Sequence, residues 1–187
     1  MCPVSLFAAI FLCSGALRIE KESLKCEFFP ESQSFLLKAP GVPGAEAFFK
    51  LPFGKGQSIE EKVTDPLWGE GERIVFIHDK GQKTELTLFE GSPFLHVLVS
   101  VRNSGKEALD LKDLTVLVGG IKIRDAELRS FGTAGLKSVE ASPGSYVFQA
   151  LVDPKTRNGF LAAYLTCEVG IGVFFPSPKP YEVLSRK

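Results

Sequence analysis

Ser145-Tyr-Val-Phe-Gln-Ala-Leu-Val-Asp-Pro-Lys-Thr-Arg-Asn-Gly-Phe-Leu-Ala-Ala-Tyr-Leu-Thr166 decides the fold of this chain. Two runs of β-forming residues flank a charged turn that Asp153-Pro154 opens, so the stretch is predicted to be a hairpin. It offers no catalytic chemistry of its own.

The same rhythm extends in both directions. Glu72 to His78 is apolar and β-branched, and Asp79-Lys80-Gly81 turns the chain. Gln82 to Phe89 alternates, with Thr84, Leu86 and Leu88 on one face and Lys83, Glu85 and Thr87 on the other. Phe94 to Arg102 alternates again and turns Leu95, Val97, Val99 and Val101 inward. Short strands are predicted at Leu24 to Phe29, Ser34 to Lys38 and Ala47 to Leu51. Gly54 to Glu72 reads as a long surface loop with a weak strand at Ser58 to Val63. Gly119-Gly120 reads as a turn, and Ala126 to Phe131 fits either a strand or a short helix. Turns recur about every 8–12 residues, the spacing of a sandwich or barrel. No long amphipathic helical stretch appears. The expected class is all-β, a two-sheet antiparallel β-sandwich.

Composition supports a globular domain: of 187 residues, 44% are hydrophobic and 24% charged. Phe occurs 16 times against Tyr 3 and Trp 1, so most rings are expected to build core. Lys+Arg and Asp+Glu both number 22, leaving no field to attract nucleic acid.

Residues 1–16 contain an apolar run, Val4 to Leu12, too short to span a bilayer. Ser14-Gly15-Ala16 would place signal cleavage before Leu17. No Lys or Arg precedes the run, so a buried first strand or an artefact of the start site stands as the other reading. The signal reading implies a secreted or periplasmic protein with no integral membrane span after its removal. Residues 17–175 are expected to form the sandwich, and 176–187 a Pro-rich tail or truncated linker.

Cys2 and Cys13 would leave with a signal. Cys26 and Cys167 would then either pair in a disulfide closing a long loop or remain buried free thiols. No Cys/His spacing suggests zinc, and no cofactor is expected. His78 ends a strand, and His96 falls on the face opposite Leu95 and Val97. No Gly-x-Ser-x-Gly elbow accompanies them. Asp125, Glu127, Asp153 and Glu168 are the carboxylates to consider for sugar chemistry, Glu168 being the most interesting at its strand end. Phe131-Gly-Thr-Ala-Gly135 lacks the Lys-Ser/Thr of a phosphate loop. Sugar binding uses exposed aromatic platforms. Trp68, in its loop, is the best candidate, whereas Tyr146 and Tyr164 lie in strands and suit the core edge. The carbohydrate-binding candidates are Trp68, Tyr164 and Glu168.

Phe131-Gly-Thr-Ala-Gly-Leu136, Gly144-Ser-Tyr-Val-Phe148, Val152-Asp-Pro-Lys-Thr-Arg-Asn-Gly159, Tyr164-Leu-Thr166 and Gly170-Ile-Gly-Val-Phe174 form a recognisable succession. It resembles the N-terminal β-sandwich of α-galactosidase-type glycoside hydrolases, the family 36 and raffinose synthase group. Where that group carries a Trp-Leu-Thr-His-Asp-Arg-Gly-like segment, this chain reads Tyr164-Leu-Thr-Cys-Glu-Val-Gly170. The resemblance implies a supersandwich of galactose-mutarotase-like type that precedes a catalytic (β/α)8 barrel. A barrel alone takes ~250 residues. The implied function is a non-catalytic carbohydrate-associated domain, stand-alone or truncated, with a glycosidase barrel or a glycan as partner. The alternatives are a mutarotase-like epimerase using His96 with Glu168, and a structural exported sandwich.

Overall fold

The computed structural model describes residues 16–79, 81–103, 105–107, 114–124, 126–165, 172–178 and 181–186. Among them the alternating runs become strands and no helix forms. A first meander comprises β1 (Leu17–Lys21), β2 (Leu24–Phe29), β3 (Ser34–Lys38) and β4 (Ala45–Lys50). A second comprises β5 (Gly56–Asp65), β6 (Gly69–His78), β7 (Gln82–Phe89) and β8 (Leu95–Val101). The chain then returns through β9 (Thr115–Ile123), which pairs antiparallel with β4. There follow β10 (Arg129–Gly132), β11 (Gly135–Ser138), β12 (Ser145–Tyr146), β13 (Phe148–Val152), β14 (Gly159–Ala163), β15 (Val173–Pro178) and β16 (Tyr181–Arg186).

These strands make an eight-stranded sheet, β1-β2-β3-β4-β9-β16-β15-β12, and two four-stranded sheets, β5-β6-β7-β8 and β11-β10-β13-β14. Phe28, Phe35 and Phe49 stand in one cross-strand row and so share one face of the large sheet. On that face Phe28 meets Phe76 of β6 edge-on at 5.2 Å, and Phe49 meets Phe160 of β14 at 5.7 Å. Both small sheets therefore pack on the same side of the large one. The all-β antiparallel sandwich is as expected, with one difference: its second layer is divided between two sheets. The core draws Ile19, Phe28, Phe49 and Ile121 from the first layer and Ile74, Phe76, Leu86 and Leu151 from the second.

The opening hairpin is β13–β14, with Val152 paired to Gly159. Asp153 builds its turn. One carboxylate oxygen accepts the Lys155 backbone N–H at 2.9 Å and the other accepts the Thr156 hydroxyl at 2.6 Å. These bonds hold its carboxyl below the usual carboxylate range.

Three local expectations are corrected. The supposed loop at 54–72 is mostly the long β5–β6 hairpin. β5 is an edge strand with polar residues on both faces, so composition hides it. Gly119-Gly120 does not turn but runs through β9. A Cβ on Gly119 would lie 2.2 Å from the Phe48 carbonyl oxygen and 2.3 Å from the Phe49 ring, so glycine is needed for β4 to pass. The segment 176–187, expected as a tail or linker, supplies the end of β15 and all of β16, inserted between β15 and β9. Pro176 and Pro178 fit because β12 pairs only with Val173 and Phe174, leaving the rest of β15 with β16 as its described neighbour.

Between β12 and β13 the chain leaves the large sheet for a small one, and Val147 takes φ 69° at this crossing. A β-branched residue is strained there. Val147→Gly is expected to raise stability by about 1 kcal/mol in urea unfolding, since the side chain is exposed and loses little burial. An unchanged or lower midpoint would contradict the strain.

Candidate functional site: an aromatic tip on the second meander

Asp65 ends β5, and its Oδ1 accepts the backbone N–H groups of Leu67 and Trp68 at 2.8 and 3.0 Å. This side-chain turn, closed by Gly69 at φ 77°, fixes the Pro66-Leu67-Trp68 tip. The β7–β8 turn lies against it. Glu90 N–H donates to the Glu70 carbonyl at 2.8 Å, and Gly91 N–H donates to the Trp68 carbonyl at 3.0 Å. A Cβ on Gly91 would sit 2.9 Å from that same carbonyl oxygen, so the two turns meet where only glycine fits without a shift.

The side chains then interlock. His96, on the outer face of β8, packs edge-to-face with Trp68 at 5.1 Å and with Phe89 at 5.2 Å. Gly71, opposite Phe89 in the register, leaves room for the Phe89 ring. His96 Nε2 lies 2.7 Å from Ser92 Oγ, which also accepts the Phe94 N–H at 3.3 Å. With that acceptance made, the Ser92 hydroxyl is placed to donate to a neutral imidazole. Burial holds His96 below the usual imidazole range, partly opposed by the charge of Asp65. Trp68 is thus half-buried and clamped, while Leu67 and Phe94 beside it are 77% and 53% exposed.

A serine hydroxyl 2.7 Å from an imidazole has the reach of a nucleophile–base pair. Ser92 is only 7% exposed, and the Asp65 oxygen that could orient a base is already bound to two backbone N–H groups. The contact serves as a lock on the turn. Among the described residues no group of three or more His, Cys, Asp or Glu is placed to hold a metal ion. None of them forms a helix long and apolar enough to cross a membrane.

The residues singled out from sequence are not gathered at one place. Trp68 stands at this tip. Tyr164 follows β14, half-buried, with its ring 5.0 Å from Phe174 of β15 and filling the space a Gly172 side chain would need. Tyr146 is exposed on β12. Cys26 is a free, fully buried thiol on β2, pushed up to about 12 by burial and then by the Glu27 charge. Cys167 and Glu168 lie outside the described residues, and so the choice between a Cys26–Cys167 disulfide and two buried thiols is not settled at Cys167, and the His96–Glu168 pair is not placed. Sequence reading missed Ser92, Leu67 and Phe94. Ser92 four residues before His96, in a turn beside Pro93, was the available signal. No protein-family model, curated protein or solved structure matches the chain.

Proposed function

We propose that this chain is an exported, non-catalytic, carbohydrate-associated β-sandwich module that offers the face of Trp68 to a sugar ring. The clamped indole carries this reading. Asp65 fixes the backbone of Trp68 and His96 fixes its ring, so binding costs little conformational entropy. Leu67 and Phe94 add apolar margin, and the exposed Glu70 at the start of β6 can accept sugar hydroxyls, whereas Glu90 on the β7–β8 turn is paired with Lys21 at 3.4 Å. The likeness of residues 131–175 to galactosidase-type sandwiches makes galactosides the first ligands to try, and a glycosidase barrel a natural companion. The mutarotase-like alternative needs His96 for proton transfer, and His96 is engaged with Ser92 beneath Trp68.

Affinity electrophoresis through a galactose-bearing polysaccharide tests this. The wild-type protein is expected to be retarded, and Trp68→Ala to lose about tenfold or more in affinity with an unchanged circular-dichroism spectrum. Equal mobility of the wild type with and without polymer would end the glycan reading.

A further inference from the structure

The β11-β10-β13-β14 sheet has an apolar face on each side. Its inner side packs on the core through Leu151, Phe160 and Ala162. Its outer side carries the cross-strand row Leu136–Phe131–Ala150–Leu161, read directly from the register. Phe148, two residues before Ala150, extends this face, its ring 5.9 Å from that of Phe131. Leu165, two residues past the end of β14, is exposed as well. Phe131, Leu136, Leu161 and Leu165 are 45%, 56%, 52% and 75% exposed. Together they bare on the order of 400 Å² of apolar surface, within the range where the largest patch of a monomer is commonly functional.

We propose that this outer face is a self-association surface, occupied by the same face of a second copy of this chain. The charge pattern permits that occupant, and the area of the face argues for it. Arg129, at the margin of the row, is the one ionisable residue that these four strands place on the face, so neither a basic nor an acidic partner is favoured. The whole chain has equal numbers of acidic and basic residues, and two copies approach without net repulsion. A two-fold pair would lay row against row as two stacked sheets, ~10 Å apart. With its rim, such a contact buries on the order of 1,000 Å² in total, the threshold for a specific interface. This inference is independent of any sugar bound at Trp68, which lies on the other small sheet.

Sedimentation velocity of the full chain across the micromolar range tests it. The wild type is expected to sediment with twice the mass of the chain at the upper concentrations. Phe131→Glu and, separately, Leu161→Glu are expected to weaken association by roughly 30-fold or more while leaving the thermal midpoint measured on dilute protein in place. Both side chains are exposed, and two variants guard against one failing to fold. A wild type monomeric at every concentration would overturn the proposal and leave the face to a different protein. Variants that associate as tightly as the wild type would overturn it equally.

Discussion

Phe76→Ala is expected to cost about 3–5 kcal/mol. Phe76 is 1% exposed, edge-on to Phe28 at 5.2 Å and to His78 at 4.6 Å. It ties the second meander to the large sheet, so its removal leaves a cavity between layers that neither sheet can close alone. Because a domain's net stability is only about 5–15 kcal/mol, the loss is a large share of the total. Urea unfolding should show a much lower midpoint with an unchanged slope. Phe94→Ala, at the exposed tip, should fall within about 0.5 kcal/mol of wild type. Equal effects at the two positions would refute the layer assignment.

His78 gives the second large effect. It is buried at the end of β6, with Nδ1 3.1 Å from the Gly54 carbonyl and Nε2 3.1 Å from the Thr84 hydroxyl. A neutral ring satisfies both, donating from Nδ1 and accepting at Nε2. It thereby pins the β4–β5 connection to β6 and β7, with the Phe53 ring edge-on at 5.2 Å. His78→Ala should cost about 3 kcal/mol, through the cavity and the buried Thr84 hydroxyl left without its partner.

Burial holds the His78 imidazole below its ordinary value of 6.5, opposed in part by the Gly54 carbonyl and the Asp79 charge. The folded protein therefore takes up this proton less readily than the unfolded chain. The associated stability is complete above pH 6.5 and drains as pH falls through the lowered value. His96 is shifted the same way and adds to the trend. Urea midpoints measured from pH 7.5 to 5 should fall for the wild type and fall less for His78→Ala. Parallel slopes would remove His78 from the account.

The period-two runs between residues 72 and 102 made three strands legible, because burial on one face writes itself into the sequence. β6, β7 and β8 lie where alternation places them, and Thr84, Leu86 and Leu88 share the buried face. The same alternation puts His78 with Ile74 and Phe76, which marks it as an interior histidine, although its place beside the Asp79 turn suggested an edge. Alternation puts Glu85 on one face with Lys83 and Thr87 and leaves its burial undecided. It is buried because Arg73, reaching over from β6, and Lys83 both pair with its carboxylate. That arrangement depends on register between strands and has no local signature. β16 was hidden for a related reason. It follows the proline-rich end of β15 and is itself short and partly polar, so it resembles a linker, and only its places beside β9 and β15 make a strand of it. At the tip, Trp68 stood out as the lone tryptophan. The clamp that fixes it joins residues 65, 89, 92 and 96, brought together by the hydrogen bonds between two turns.

Because Trp68 is the only tryptophan, its emission reports on the proposed site without labelling. A fluorescence titration of the intact protein with galactosides is therefore the most direct measurement. A saturable quench or blue shift that Leu67→Ala weakens is the expected result. Emission that stays constant across the full titration would contradict the account.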